Sequence, residues 1–115
     1  MADDLCVVIR DAFPIADGHT LVVPRRHVGS FFELTEQEQA SMLRLLRSAR
    51  EQLNASSPGF TSDFNIGIND GPAAGQTVPH VHMHLIPRIA GDVADARGGV
   101  RWVIPQRARY WKDPE

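Results

Sequence analysis

A single cysteine among 115 residues leaves no internal disulfide, no zinc knuckle and no CxxC redox pair. Basic residues are not in excess either. Lys plus Arg number 12 against 14 Asp plus Glu, for a formal charge of −2, so the chain as a whole does not attract polyanions and no nucleic-acid partner is expected. No apolar run approaches the roughly 18 residues of a membrane span, and Met1 to Asp4 is too acidic to open a signal peptide. These absences predict a protein of the cytoplasm, a reducing compartment, with no membrane partner. Aromatic residues make up only 7%, yet 43% of the chain is hydrophobic, an ordinary globular balance. A chain of this length should bury somewhat under about 70% of its unfolded surface, which predicts one domain over 1–115 with one layered core.

Two short β-branched runs, Leu5 to Ile9 and His19 to Val23, flank a segment with Pro14, Asp17 and Gly18, and read as two strands and a turn. Thr35 followed three residues later by Glu38 makes a capping box, and Met42, Leu46, Ala49 and Leu53 recur at helical spacing. A helix is therefore predicted from Thr35 to about Leu53, stopped by the segment Asn54 to Gly59 with its Ser56, Ser57, Pro58 and Gly59. Phe64, Ile66 and Ile68 alternate with Asn65 and Gly67 as in a half-buried strand, and Val100 to Ile104 is a candidate last strand. Four or five strands, short turns and one main helix predict an α+β fold with an antiparallel sheet.

Three of the five histidines, His80, His82 and His84, fall within five positions and alternate with Val81, Met83 and Leu85. On a strand they would share one face at a spacing of about 6.6 Å. Three readings compete. In the first, the imidazoles form a solvated polar face. In the second they bind a metal, but the outer two would stand about 13 Å apart by the same rise, and no nearby carboxylate completes a His-His-acid set. Or the central imidazole is a nucleophile toward phosphorus, since a neutral ring attacks an anionic phosphate without adding like charge and its neighbours can fix its tautomer and supply protons. The loop from Asn69 to Thr77, with Gly71 and Gly75, favours the third reading: its backbone N–H groups and the neutral side chains of Asn69, Gln76 and Thr77 suit an anion.

The string Gly75-Gln76-Thr77-Val78-Pro79-His80-Val81-His82-Met83-His84-Leu85-Ile86 resembles the motif of the histidine-triad (HIT) superfamily, His-φ-His-φ-His-φ-φ with φ apolar. Pro14 to Pro24 resembles that family's first hairpin, and Arg26-His27-Val28 through Thr35 its link into the helix, so the likeness runs over residues 5 to 92. It implies a HIT-like fold, a homodimer, and hydrolysis or transfer at the α-phosphate of a purine nucleotide, with no cofactor. By position, His82 would be the nucleophile and His84 would contact the α-phosphate or the leaving-group oxygen. His80 would pair with His19 to orient the active ring. Asp11 would bind the ribose hydroxyls, and Asn69, Gln76 and Thr77 the phosphates. His27 receives no role, and Arg25 and Arg26 are expected to face solvent. Without the paired cysteines that some relatives use for zinc, no structural metal is implied. Pro87-Arg88 and Ala90-Gly91-Asp92 most resemble the dinucleoside-polyphosphate hydrolases of the fragile-histidine-triad type, including diadenosine tetraphosphate hydrolases. A purine nucleoside phosphoramidase and a nucleotide-binding or sensing module are the alternatives, although the Trp-Pro-Pro-Gly ending of the phosphoramidase branch is absent.

Overall fold

The helix starts where its capping residues put it. In the computed structural model, which describes residues 1–56 and 62–112, the Thr35 N–H donates to Glu38 Oε1 at 2.9 Å and the Glu38 N–H donates back to Thr35 Oγ1 at 3.1 Å. Helix α1 runs Glu36–Ser56, so Asn54 to Ser56, expected to belong to the stop, continue it for about one turn, and the rest of the expected stop, Ser57 to Gly59, lies outside the described residues. Its inward stripe is Met42, Leu45, Ala49 and Leu53, with Leu46 on the flank where Leu45 had not been expected. Glu38 is buried, and the Arg26 guanidinium, bonded to it at 2.8 Å, together with the Thr35 N–H holds its carboxyl down to about 2. Arg25 and Arg26 are exposed, as predicted, and each also has a structural partner, Arg26 in Glu38 and Arg25, through Nε, in the Asp3 carbonyl.

Strands β1 (Cys6–Arg10), β2 (Thr20–Pro24), β3 (Asp63–Ile68) and β4 (Met83–Arg88) form one antiparallel sheet in the order β1-β2-β4-β3. The pairings Cys6 with Pro24, Val22 with Met83, and Thr20 with Leu85 put Cys6, Val8, Val22, Met83, Leu85 and Phe64 on the face that α1 covers. Full burial of Leu85 or Met42 is worth about 1.5–3 kcal/mol each. Cys6 is fully buried there, and burial pushes its thiol up, so it is chemically quiet. Because side chains alternate, Ile9, Leu21, Val23, His84, Ile86 and Gly67 fall on the opposite face, which no described α-helix covers. That uncovered face carries the site.

Two sequence expectations fail locally. Val100 to Ile104 is not a strand: Gly99–Val103 forms 3₁₀ turns, with Arg101 N–H bonded to Gly98 O and Ile104 N–H to Arg101 O. Gly98 and Gly99 at φ of 87° and 45° curl the chain just before this segment, and Pro105 follows it, so the described sheet has four strands, the lower of the two numbers expected. The histidine strand begins only at Met83, because Pro79 and the lone Val81 N–H to Val28 O bond hold 79–82 irregular. The tail is nevertheless pinned, Trp102 Nε1 donating to Arg97 O and the Arg97 guanidinium lying 4.6 Å from the Trp111 ring centre. No described helix is long and apolar enough to cross a membrane.

Candidate active site

Register brings the acid and the histidines together. The β1–β2 hairpin pairs Arg10 with Thr20, and one step further the Asp11 N–H donates to the His19 carbonyl, so these two residues face each other just past the strand ends. Across the next ladder Thr20 pairs with Leu85 and Leu21 with His84, which carries His84 alongside His19. His19 Nε2 lies 2.9 Å from His84 Nδ1 and 3.3 Å from Asp11 Oδ2.

The hydrogen bonds fix which ring nitrogens carry protons. The Ile15 N–H donates to His19 Nδ1 at 3.3 Å, so in neutral His19 the proton is on Nε2 and points to His84 Nδ1 and Asp11. His84 Nδ1 is then an acceptor, leaving its own proton on Nε2. His82 is the reverse. Its Nδ1 donates to the His80 carbonyl at 2.9 Å, so Nε2 carries a lone pair, and no described residue pairs with it. The His82 and His84 ring centres are 5.1 Å apart. Burial, reinforced by the neighbouring His82 and His19, lowers the His84 pKa below its ordinary value against the pull of Asp11, so the free site holds His84 neutral at pH 7.

His80 does not pair with His19 as predicted. It precedes β4, on the irregular segment tied to Val28, so its Nε2 donates to the Pro24 carbonyl at 2.8 Å and its Nδ1 accepts from His27 Nδ1 at 3.0 Å. His27, which received no role from the sequence, therefore braces the residue whose carbonyl orients His82. The orienting partner of His84 is His19.

These groups open on a cavity of 610 Å³ lined by Asp11, Asn69, Gln76, Thr77, His80, His82 and His84, with Ile9, Leu21 and Val23 as an apolar wall. His19 is buried behind them. Gln76 departs from its expected role. Its Oε1 accepts from the Gly71 N–H at 2.7 Å and its Nε2 donates to the Gly29 and Val78 carbonyls, so the side chain braces the loop instead of offering protons to a ligand. The N–H groups of Ala74, Gly75 and Gln76 are turned inward as well, closing a 3₁₀ turn between Gly71 and Gly75, whose φ values of 96° and 95° favour glycine. The loop is a collar around the cavity, and Thr77 and Val78, whose amides donate to no described residue, line that cavity.

The His-His-acid set judged absent near the triad exists across the fold. Asp11, His19 and His84 place one potential ligand atom each within 4.8 Å of one another. Ligation by His19 Nε2 requires a lone pair there, whereas the Ile15 N–H on Nδ1 keeps that nitrogen protonated. As folded, His19 and His84 are hydrogen-bonded, with the Asp11 carboxylate 3.3 Å from His19 Nε2.

Comparison with known proteins gives the same direction. The family model described as HIT domain matches residues 1–91. An uncharacterised HIT-like protein of Synechococcus elongatus is 40% identical over 84 residues, 73% of this chain and 72% of that protein. The asymmetrical bis(5'-nucleosyl)-tetraphosphatase of Schizosaccharomyces pombe is 42% identical over 82 residues, 71% of this chain but 44% of its own length. The crystal structure of the Caenorhabditis elegans NitFhit protein superposes with a TM-score of 0.74 at 35% identity, covering 84% of this chain and 23% of that one. The chain thus spans less than half the length of the latter two proteins.

Proposed function

Because the chain belongs to the HIT domain family, we propose that it is a nucleotide hydrolase that cleaves at the α-phosphate of dinucleoside polyphosphates or related adenylyl compounds through a nucleotidyl-His82 intermediate. The observation that carries this reading is the opposite protonation of two adjacent imidazoles, a bare Nε2 on His82 beside an Nε2–H on His84, both lining one cavity. A nucleophile and a proton donor are the two groups that displacement at phosphorus needs. Ile9, Leu21 and Val23 supply an apolar wall for a base, and Asp11 a carboxylate with lone pairs to spare for ribose hydroxyls. The resemblance to the S. pombe tetraphosphatase supports the choice of substrate class.

The chemistry runs in two displacements. The bound anionic phosphate favours the charged imidazole, so the His19–His84 pair takes up one proton with the substrate. His84 then holds protons on both nitrogens and donates from Nδ1 to His19 Nε2, and the His19 proton moves to Nδ1 at the cost of its contact with the Ile15 N–H. The Asp11 carboxylate 3.3 Å from His19 Nε2 balances the charge. His82 Nε2 then bonds to the α-phosphorus while the bond to the leaving atom breaks, and that atom takes the electron pair and the proton from His84 Nε2. The His80 carbonyl holds the proton on His82 Nδ1, where positive charge develops. In the second step water attacks the same phosphorus, His84 Nε2 accepts the water proton, and the phosphorus–nitrogen bond breaks to release the nucleoside monophosphate. Intact-protein mass spectrometry during turnover of diadenosine tetraphosphate tests the proposal: an added adenylyl group is expected on the wild type and none on His82→Asn. Nucleotide release by that variant at the wild-type rate would refute it.

A further inference from the structure

The five histidines divide into two pairs and one ring left over. His19, just before β2, meets His84, and His27, just after β2, meets His80, so the histidines on either side of His82 are each held by a ring from a flank of β2. We propose that His27 is a positioning residue for the nucleophile: through the His80 ring it keeps the His80 carbonyl on His82 Nδ1, and so selects the tautomer whose Nε2 is bare.

The inference rests on the reading of His82 given above and adds a residue that does not line the reaction cavity. The core sets its place. Val28 and Val81 are both buried and are joined by the Val81 N–H to Val28 carbonyl bond at 2.8 Å, so the residues before them, His27 and His80, stand side by side with ring centres 5.0 Å apart. The protons between them can be assigned. His80 Nε2 faces the Pro24 carbonyl at 2.8 Å and must carry one, which leaves Nδ1 of neutral His80 as an acceptor. The 3.0 Å contact between the two Nδ1 atoms holds a single proton, and it belongs to His27.

His80 needs this second anchor. The peptide that carries its carbonyl is pinned at one end, where the Val81 N–H meets Val28. The other end is the His80 Cα, which no strand ladder holds, because β4 begins only at Met83. Besides its own N–H, bonded to the Val78 carbonyl two residues back around Pro79, the ring is what ties that end down. Held at Pro24 and His27 together, the ring is fixed; held at Pro24 alone, it swings about one bond and the carbonyl turns with it. The consequence falls on His82, whose Nδ1 donates to that carbonyl at 2.9 Å. When that bond slackens the proton is free to sit on Nε2, and a ring so protonated has no lone pair for phosphorus.

The test follows single-turnover adenylylation of the protein by intact mass, with the p-nitrophenyl ester of AMP and with an adenosine 5'-phosphoramidate. His27→Ala should slow both by the same factor, roughly 2- to 13-fold, the weight of one neutral hydrogen bond, with AMP affinity unchanged. His27→Asn, whose side-chain amide can place an N–H where Nδ1–H stood, should restore the rate. Imidazole nitrogen NMR should show His82 protonated on Nδ1 in the wild type and in His27→Asn, and its proton divided between the two nitrogens in His27→Ala. His27 is exposed, so its truncation opens no void in the core. A wild-type rate in His27→Ala, a loss that differs between the leaving groups, or a loss that asparagine does not repair overturns the positioning role while leaving the nucleotidyl-histidine chemistry in place. Wild-type protein that is never adenylylated overturns that chemistry and the role together.

Discussion

Replacing His19 by Ala should impair catalysis selectively, according to how much the leaving group needs a proton. His19 Nε2 donates to His84 Nδ1 at 2.9 Å in the resting site, and the same contact steadies the charge when the pair holds an extra proton. A neutral hydrogen bond contributes about 0.5–1.5 kcal/mol net and one to a charged group about 1.5–3 kcal/mol. Through the relation of about 1.36 kcal/mol per factor of ten, a departing amine, which requires the charged pair, should lose roughly 13- to 160-fold in kcat. A departing p-nitrophenolate, stable as the anion, should lose roughly 2- to 13-fold by the same conversion. The assay measures kcat for an adenosine 5'-phosphoramidate and for the p-nitrophenyl ester of AMP on one preparation of the variant. His19 is buried, at 4% exposure, and its truncation leaves a void, but any loss of folded protein scales both rates equally and cancels in their ratio. Equal losses with both leaving groups would refute the assignment of His19 as the positioning partner of the proton donor.

AMP binding near neutral pH should take up protons, because the His84 pKa is lowered in the free protein and an arriving anion restores the charged form; calorimetry in buffers of different ionisation enthalpy measures the uptake, which should fall in His84→Asn. The same lowering makes the unfolded chain bind more protons than the native one just below the ordinary histidine pKa, so stability should rise with pH through that window, and in denaturant titrations the difference between wild type and His84→Asn should change with pH there and become constant above it. Gln76→Leu should free the Gly71 N–H and the Gly29 carbonyl, loosening the collar and weakening AMP affinity about tenfold, with urea stability changed by about 1–3 kcal/mol. Glu38→Gln should cost about 1–3 kcal/mol at neutral pH through the capping box and the Arg26 pair. Because the Glu38 pKa is depressed to about 2 from 4.5, that difference should be present above the higher value and vanish as pH falls through the lower, as chemical denaturation at successive pH values would report.

Elements governed by near neighbours were legible in the chain itself. Thr35 and Glu38 lie three residues apart and cap one turn, so the helix start follows from them alone; the alternation from Phe64 to Ile68 likewise needs no partner to be read. The pairing of the histidines was not legible, since His19 and His84 are 65 positions apart and meet only through the β2–β4 register. An even spacing of two says that His80, His82 and His84 share a face if the strand is regular, but regularity is decided by Pro79 and by the distant Val28 carbonyl, which hold His80 off the ladder and hand it to His27. The same limit explains Gln76. Its residue type fits a phosphate donor, yet whether an amide is free depends on the acceptors around it, and the Gly29 carbonyl arrives from 47 positions away. Asp11 is the instructive intermediate case. Pro14, Asp17 and Gly18 already mark the turn, and pairing outward from it would have set Asp11 across from His19, so that acid and base were predictable as partners before either could be placed beside His84.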